Sequence, residues 1–464
     1  MADTDLEMLF ADVAAYAAAR RAGDAERRHA PIATYEEQVQ RFRLALNGEG
    51  AAAEEVIREL IELAEPGLAA MTGPRFFGWV IGGSNTTGVA ADWLASVWGQ
   101  NTANHRATPS ASAVEEASGA ALLELMQLPR KASVGFATGA TMASYTCLSA
   151  ARMEILRRVG WDIEQDGMAG SPPITIVLGE EAHSTIFAGL KYLGFGERNL
   201  VKVAVDRNGA IIAGAFAEAM ARVTGPVIAI AQAGHINSGS FDPFEEMARV
   251  AQAKGAWLHI DGAFGLWARA TKTHRHLGAG IELADSWSVD GHKWLQTPYD
   301  CAYAIVKDRE AHVRAMRIPA SYLPGAGDGM RNPSDVVPEL SRRARGFSTW
   351  AMIKRLGAGG IAEMVSRHCA LARRFAQKLS AEAGVEILND VALNQVAVHF
   401  GSDEQTRAVI AKVQSDGVCF VGGAQWRGKA IMRISVTNEN TTEADVDRSV
   451  EAMLGAWRSV RGRN

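Results

Sequence analysis

Between about residues 131 and 310 the chain alternates short, unbroken apolar runs with stretches whose apolar residues recur at helical spacing. The runs at 174–178, 201–205, 227–231, 256–260 and 301–306 predict strands, and the stretches at 215–223 and 244–254 predict helices between them. A strand that is apolar at every position has no face to offer water. Such strands with intervening helices therefore predict a mostly parallel sheet covered on both sides. Ligands of these sheets bind outside the carboxyl ends of the strands, so the polar residues that directly follow the runs are where chemistry should be sought.

The flanks read differently. Residues 1–70 have helical spacing but few apolar residues for a core of their own, which predicts that they pack onto something else. Residues 73–83, rich in aromatics and glycine (Phe76, Phe77, Trp79), suit a loop near a site. A long helical region at 350–379, broken near Gly357 and Gly359-Gly360, precedes short strands at 395–400 and 430–436 and helices at 404–413 and 443–457. That order predicts a small α/β domain with an antiparallel sheet. The expected organisation is an N-terminal segment with its aromatic loop at 1–85, a large α/β domain at 86–345 and a small C-terminal domain at 346–464.

Composition narrows the function. The 464 residues are 48% hydrophobic and 22% charged with a net charge of -4, as in an ordinary soluble enzyme, and without the basic excess that nucleic-acid binding needs. The four cysteines, Cys147, Cys301, Cys369 and Cys419, form no CxxC pair. Free thiols in a reducing compartment are expected, with neither a disulfide framework nor a metal site. The first residues carry early acids and lack the basic-then-apolar order of a signal peptide, and no apolar run reaches the ~18 residues of a membrane span. A cytoplasmic protein without a membrane partner is expected.

The segment Ser286-Trp287-Ser288-Val289-Asp290-Gly291-His292-Lys293-Trp294 places a lysine beside a histidine just after a strand. An amine in such surroundings can be deprotonated and form an imine. Thirty-two residues earlier, Asp261 ends a strand and is followed by Gly262 and Ala263. A carboxylate there can hold a pyridine nitrogen protonated while the small residues let a flat ring lie close; alternatively it caps a helix. Gly135-Phe136-Ala137-Thr138-Gly139-Ala140-Thr141-Met142-Ala143-Ser144 leads into a helical run, and amides at a helix N-terminus beside a Thr hydroxyl can seat a phosphate or simply start a helix. His183, in Glu181-Ala182-His183-Ser184, either stacks on such a ring or is a polar loop residue.

Taken in order, Ala137-Thr138-Gly139-Ala140-Thr141, Glu181-Ala182-His183-Ser184, Gln232 to Pro243, His259-Ile260-Asp261-Gly262-Ala263 and Asp290-Gly291-His292-Lys293-Trp294 resemble the group II pyridoxal-phosphate (PLP) decarboxylases, which include the aromatic-L-amino-acid and glutamate decarboxylases. The resemblance runs from about residue 70 to 440 and implies the aspartate-aminotransferase-like fold (PLP fold type I). It implies PLP as cofactor and an L-amino acid as substrate. It also implies a cytoplasmic homodimer with the site at the subunit interface. Lys293 would form the Schiff base, with His292 and Asp290 beside it and His292 touching the phosphate. Ala140 and Thr141 would receive the phosphate, His183 would stack on the ring, Asp261 would pair with the ring nitrogen and Ala263 would pack on the ring. The Phe76-Phe77-Gly78-Trp79 loop would line the substrate pocket, unless it is ordinary packing, and Tyr322 and Arg345 are further pocket candidates.

Three positions depart from the family pattern. Members carry a Tyr in a mobile loop, and it protonates the carbanion after CO2 leaves. Counting back from Arg342-Arg343-Ala344-Arg345 puts its place near Asn332-Pro333-Ser334-Asp335, which holds no Tyr, while Tyr322 lies well upstream. His235 and Gly262 also replace residues more usual there. The resemblance thus implies a PLP-dependent lyase decarboxylating an L-amino acid through a quinonoid carbanion, with an aldehyde synthase, an aldolase or an aminotransferase as alternatives. Trp79, Phe76, Phe77, Trp93 and Trp98 favour an aromatic or apolar substrate side chain. From other classes stand a nucleotide-binding oxidoreductase, against which Gly325-Ala326-Gly327-Asp328-Gly329 follows no strand, and a non-catalytic binding protein that has kept the fold.

Overall fold

The computed structural model describes residues 6–44, 50–318 and 330–462. The chain forms two compact units: one of residues 80–373 and 388–397, the other of residues 1–79, 374–387 and 398–464. The sequence reading cuts the chain into three consecutive pieces at 85 and 345. In the structure the N-terminal helices and much of the C-terminal segment instead fall in one discontinuous unit.

The larger unit is built on seven strands: β1 (Ser133–Ala137), β2 (Thr175–Gly179), β3 (Leu200–Val203), β4 (Val227–Gln232), β5 (Trp257–Asp261), β6 (Ser286–Asp290) and β7 (Ala302–Val306). Their order in the sheet is β1-β7-β6-β5-β4-β2-β3. Strands β3, β2, β4, β5 and β6 run parallel, and β7 is antiparallel to both β6 and β1. Every position of β1, β4, β5, β6 and β7 is buried, as two covered faces require. Side chains such as Val177, Ile228, Ile230 and Leu258 are almost wholly withdrawn from water, each worth about 1.5–3 kcal/mol.

Two of these strands carry no apolar run. In β6 the pattern is Ser-Trp-Ser-Val-Asp, yet both serines are buried because each finds a partner. Ser286 Oγ accepts from the Trp257 indole N–H at 2.9 Å, and Ser144 donates to Ser288 at 2.9 Å. The short β1 contains Gly135, where a Cβ would collide with the Val336 carbonyl. The helix expected from 145 begins earlier, at Ala140, and ends at Arg157. The long helix Gly346–Ser380 is interrupted at Gly357 (φ 61°), at one of the breaks its glycines predict.

The smaller unit contains the strands β8 (Val385–Ile387), half of β9 (Gln395–Phe400), β10 (Gly422–Trp426) and β11 (Lys429–Ser435), in the order β10-β11-β9-β8. The pairs β10–β11 and β8–β9 are antiparallel. The helix Glu443–Arg461 of this unit starts at a reciprocal cap between Thr442 and Asp445. The helices Leu6–Ala22, Tyr35–Arg41 and Ala53–Ala64 bury no residue. All four cysteines are buried and unpaired. Among the described residues, no helix is long and apolar enough to cross a membrane.

Candidate active site

Five carboxyl-terminal strand ends of the larger unit open on one cavity of about 280 Å³. Residues past β1 supply Gly139, Ala140 and Thr141, and residues past β2 supply His183 and Thr185. The end of β4 supplies Gln232, Gly234 and Ile236; β5 supplies Asp261, Ala263 and Phe264; β6 supplies Asp290, His292 and Lys293. Residues about 150 positions apart in sequence meet because parallel strands end at the same edge of the sheet.

Each polar group is held by its own element. The Lys293 Nζ lies 2.9 Å from Asp290 Oδ2 and 5.9 Å from the centre of the Phe264 ring. The other Asp290 oxygen accepts from the Ala140 N–H at 2.7 Å, at the first residue of the helix Ala140–Arg157. His292 accepts from the Cys301 N–H through Nδ1 at 3.2 Å, and the Tyr299 ring lies against its imidazole at 4.4 Å. Burial holds His292 below the usual histidine range, partly offset by Asp290. His183 caps the helix Ser184–Tyr192: its Nδ1 accepts from the Thr185 N–H at 3.3 Å, which leaves the ring proton of the neutral form on Nε2. Asp261 is buried at the end of β5 and accepts from the Ala263 N–H at 3.2 Å. Desolvation pushes its carboxyl above the usual carboxylate range, and His183 and Lys293 pull it back.

The loop carrying Lys293 is pinned from beneath. Gly82 donates to the His292 carbonyl at 3.0 Å, Gly83 to Gln296 Oε1 at 2.7 Å and Asn85 to the Gln296 carbonyl at 2.8 Å. A Cβ on Gly82 would strike the Lys293 carbonyl, so glycine is required by this close approach. Trp294 is fully buried and donates its indole N–H to His368 at 2.8 Å.

The structure brings Ala140, Thr141, His183, Asp261, Ala263, Asp290, His292 and Lys293 around the one cavity. The described lining of this cavity does not include the other expected site residues. Arg345 is buried against Asp300, donating to its carboxylate at 3.0 and 3.2 Å, and is not among the lining residues. That pair engages its Nε and one terminal nitrogen. Phe76 and Phe77 belong to the smaller unit and are buried there, Phe76 stacked on Phe420 at 4.7 Å and Phe77 edge-on to Phe375 at 5.0 Å. Trp79, also of that unit, is half exposed beside Phe420. In the larger unit, Trp93 and Trp98 are partly exposed on the helix Thr86–Trp98. Tyr322 and the 325–329 glycine cluster lie outside the described residues. Gly139, Thr185, Gln232, Gly234, Ile236 and Phe264 line the cavity without having been singled out as site residues. All lie inside or next to the quoted motifs, and the available signal was proximity to a strand end, which does not say which neighbour faces inward.

These residues suit PLP. The Ala140 amide already takes an oxyanion, the Asp290 carboxylate, so the helix N-terminus is competent to seat a phosphate oxygen. The buried Asp261 carboxylate is costly without a cationic partner, which a protonated ring nitrogen would supply. Gly139, Gly234 and Ala263 leave room for a flat ring, and Lys293 offers the amine.

Comparison with known proteins agrees. The model described as pyridoxal-dependent decarboxylase conserved domain matches residues 36–400. The 4-hydroxyphenylacetaldehyde synthase of Rhodiola rosea is 25% identical over 89% of this chain and 85% of its own length. The aromatic-L-amino-acid decarboxylase of Sus scrofa is 25% identical over 88% of this chain and 86% of its own. Among solved structures, Oryza sativa TDC with PLP and tryptamine shares the fold at a TM-score of 0.91, with 22% identity over 99% of this chain and 98% of that one. With more than half of its length matched by the family model, and with a cavity whose residues suit the cofactor, the chain belongs to the pyridoxal-dependent decarboxylase family and uses pyridoxal phosphate.

Proposed function

We propose that this enzyme decarboxylates an L-amino acid with an aromatic or apolar side chain. The observation that carries the substrate class is the lining of the cavity. Among the described lining residues Lys293 is the only lysine or arginine, while Phe264, Ile236 and Ala263 offer apolar surface. A substrate with an acidic side chain would have no second fixed cation to meet its carboxylate, whereas an apolar side chain needs none. Aromatic-L-amino-acid and tryptophan decarboxylases among the relatives support the same choice.

PLP supplies an aldehyde for the substrate amine and an electron-withdrawing ring. The protein's part follows from its own residues. Lys293 would hold the cofactor, and Asp261 would keep a proton on the ring nitrogen. His183, with its proton on Nε2, would lie against the ring and could supply a proton. Ala140, Thr141 and His292 would hold the phosphate, and Ala263 would pack on the ring.

A second reading rests on the loop. The positions around Asn332 to Asp335, where the family's proton-donating Tyr belongs, contain none, and they form the buried turn Pro333–Val336 with Ser334 N–H bonded to the Ala103 carbonyl at 3.1 Å. Without that acid, protonation of the decarboxylated product would lose its donor and O2 could intervene, so that amino acid, O2 and water would give aldehyde, CO2, ammonia and peroxide. The Rhodiola rosea relative, named an aldehyde synthase, fits this reading. Product analysis with L-tryptophan, L-tyrosine and L-phenylalanine separates the two. Amine and CO2 in equal amounts are expected. Aldehyde with peroxide selects the second reading, and a keto acid without CO2 overturns both and points to transamination; cleavage of the side chain without CO2 would mark an aldolase.

We also propose a cytoplasmic homodimer that completes the site. The helices Leu6–Ala22 and Ala53–Ala64 bury nothing in the single chain yet expose Phe10, Val56 and Leu60, apolar surface that a second copy would cover. A one-chain mass in sedimentation at micromolar concentration would exclude it.

A further inference from the structure

The Asp290 carboxylate stands between the two groups that the cofactor must engage. One oxygen accepts from the Ala140 N–H at 2.7 Å, and the other lies 2.9 Å from the Lys293 Nζ. His292 Nε2 is 3.5 Å from the first oxygen. The side chain is 2% exposed, so water offers these groups little competition. The N-cap of the helix Ala140–Arg157 is Gly139, which has no side chain to cap with, so Asp290 acts as the cap from another strand.

The charge balance makes this position consequential. Among the described lining residues, Lys293 is the only fixed cation, while Asp261 and Asp290 are both carboxylates. A phosphate brought to the same amide meets a carboxylate already bonded there. Two anions at one helix N-terminus repel, and in a buried site that repulsion is weakly screened.

We propose that Asp290 and the cofactor's phosphate compete for the Ala140 amide, so that Asp290 sets a ceiling on cofactor affinity and frees Lys293 only when it turns away. Asp290 is then a positioning residue that tunes loading of the site. Its role is opposite to that of an anchor, which would tighten binding by holding the phosphate.

The test compares PLP with pyridoxal, which has the same ring and aldehyde but no phosphate, by titrating cofactor-stripped wild type and Asp290→Asn and following absorbance and tryptophan fluorescence. Any general effect of freeing Lys293 acts on both ligands, so the ratio of their dissociation constants isolates the phosphate. That ratio should shift toward PLP by about tenfold or more in Asp290→Asn. An unchanged ratio, or one shifted toward pyridoxal, overturns the proposal. Inorganic phosphate should raise the melting temperature of stripped Asp290→Asn more than that of stripped wild type; an equal or smaller rise also overturns it. Asp290→Ser serves if the Asn variant does not fold. The inference rests on Lys293 as the cofactor-bearing residue, and this is checked separately. Wild type with PLP should show a visible absorption band that Lys293→Ala lacks, and a band that survives in Lys293→Ala would unseat the assignment of the site itself, whatever the ratio does.

Discussion

A buried carboxylate is unfavourable unless a cation or several donors meet it, and Asp261 has the Ala263 amide at 3.2 Å, with His183 and Lys293 drawing its carboxyl back down. In the proposed function it is the residue on which the cofactor's electronics would depend. Asp261→Asn keeps the shape and the amide contact but removes the charge that retains the ring proton. Cofactor should still bind, as the absorbance spectrum would report, while turnover falls by about a hundredfold or more. Near-normal turnover would show that Asp261 does not serve the ring. At this scale the sequence was most informative. Asp261, His183, Lys293 and the turn at Ala140-Thr141 could be named because they stand at or shortly after strand ends, in motifs whose order resembles one family; each taken alone also had a structural reading. Arg345 was less legible, since an arginine in a basic run looks the same whether it meets a ligand or, as here, Asp300.

The next scale is the element. The helix Pro109–Leu125 carries Glu115, wholly buried and paired through both oxygens with Arg342 at 2.6 and 2.8 Å. Arg331 lies 4.0 Å from the same carboxylate. Glu115→Gln would leave buried guanidinium charge uncompensated. It should destabilise the fold by about 3–5 kcal/mol, read from the denaturant midpoint, whereas a loss under about 1 kcal/mol would mean that the arginines find other partners. Elements with an unbroken apolar run or clear helical spacing were placed within a few residues by pattern alone. β6 and β1 were not delimited, because serine and glycine carry no periodic signal. Their burial depends on partners from distant strands, such as Trp257 for Ser286.

Over the whole molecule, burial of ionisable groups makes stability depend on pH in opposing ways. His312 is fully buried, and desolvation together with Arg331 lowers it to about 3. The unfolded chain binds this proton from about pH 6.5 downward while the fold refuses it, so the contribution of the neutral ring is present above 6.5 and lost as pH falls toward 3. Asp242, buried and bonded to the Ile211 and Gln232 amides at 2.7 Å, is pushed up to about 7. Its folded form takes a proton before the unfolded chain does, which favours the fold as pH falls from about 7 toward 4. Because the two oppose each other, variants show them better than wild type. The stability deficit of His312→Gln relative to wild type should shrink between pH 6.5 and 4.5, by at most about 1.4 kcal/mol per pH unit. That of Asp242→Asn should grow across the same interval. Parallel profiles would show that neither group is shifted.

The division between what was legible early and what was not follows from the range of the forces involved. Strand and helix periodicity and the strand-end motifs are local patterns, and the sequence by itself determined them; through the family that the ordered motifs resemble, it also pointed to the fold type and the cofactor. Which side chains face the cavity, that Arg345 is consumed by Asp300, that Phe76 and Phe77 pack on Phe420 and Phe375, and that Asp290 bridges the Ala140 amide to Lys293 were decided only in three dimensions. Those contacts join residues up to hundreds of positions apart. Hydrogen bonding, charge and close packing act over a few ångströms of space, and only the folded sheet sets which distant residues come that near.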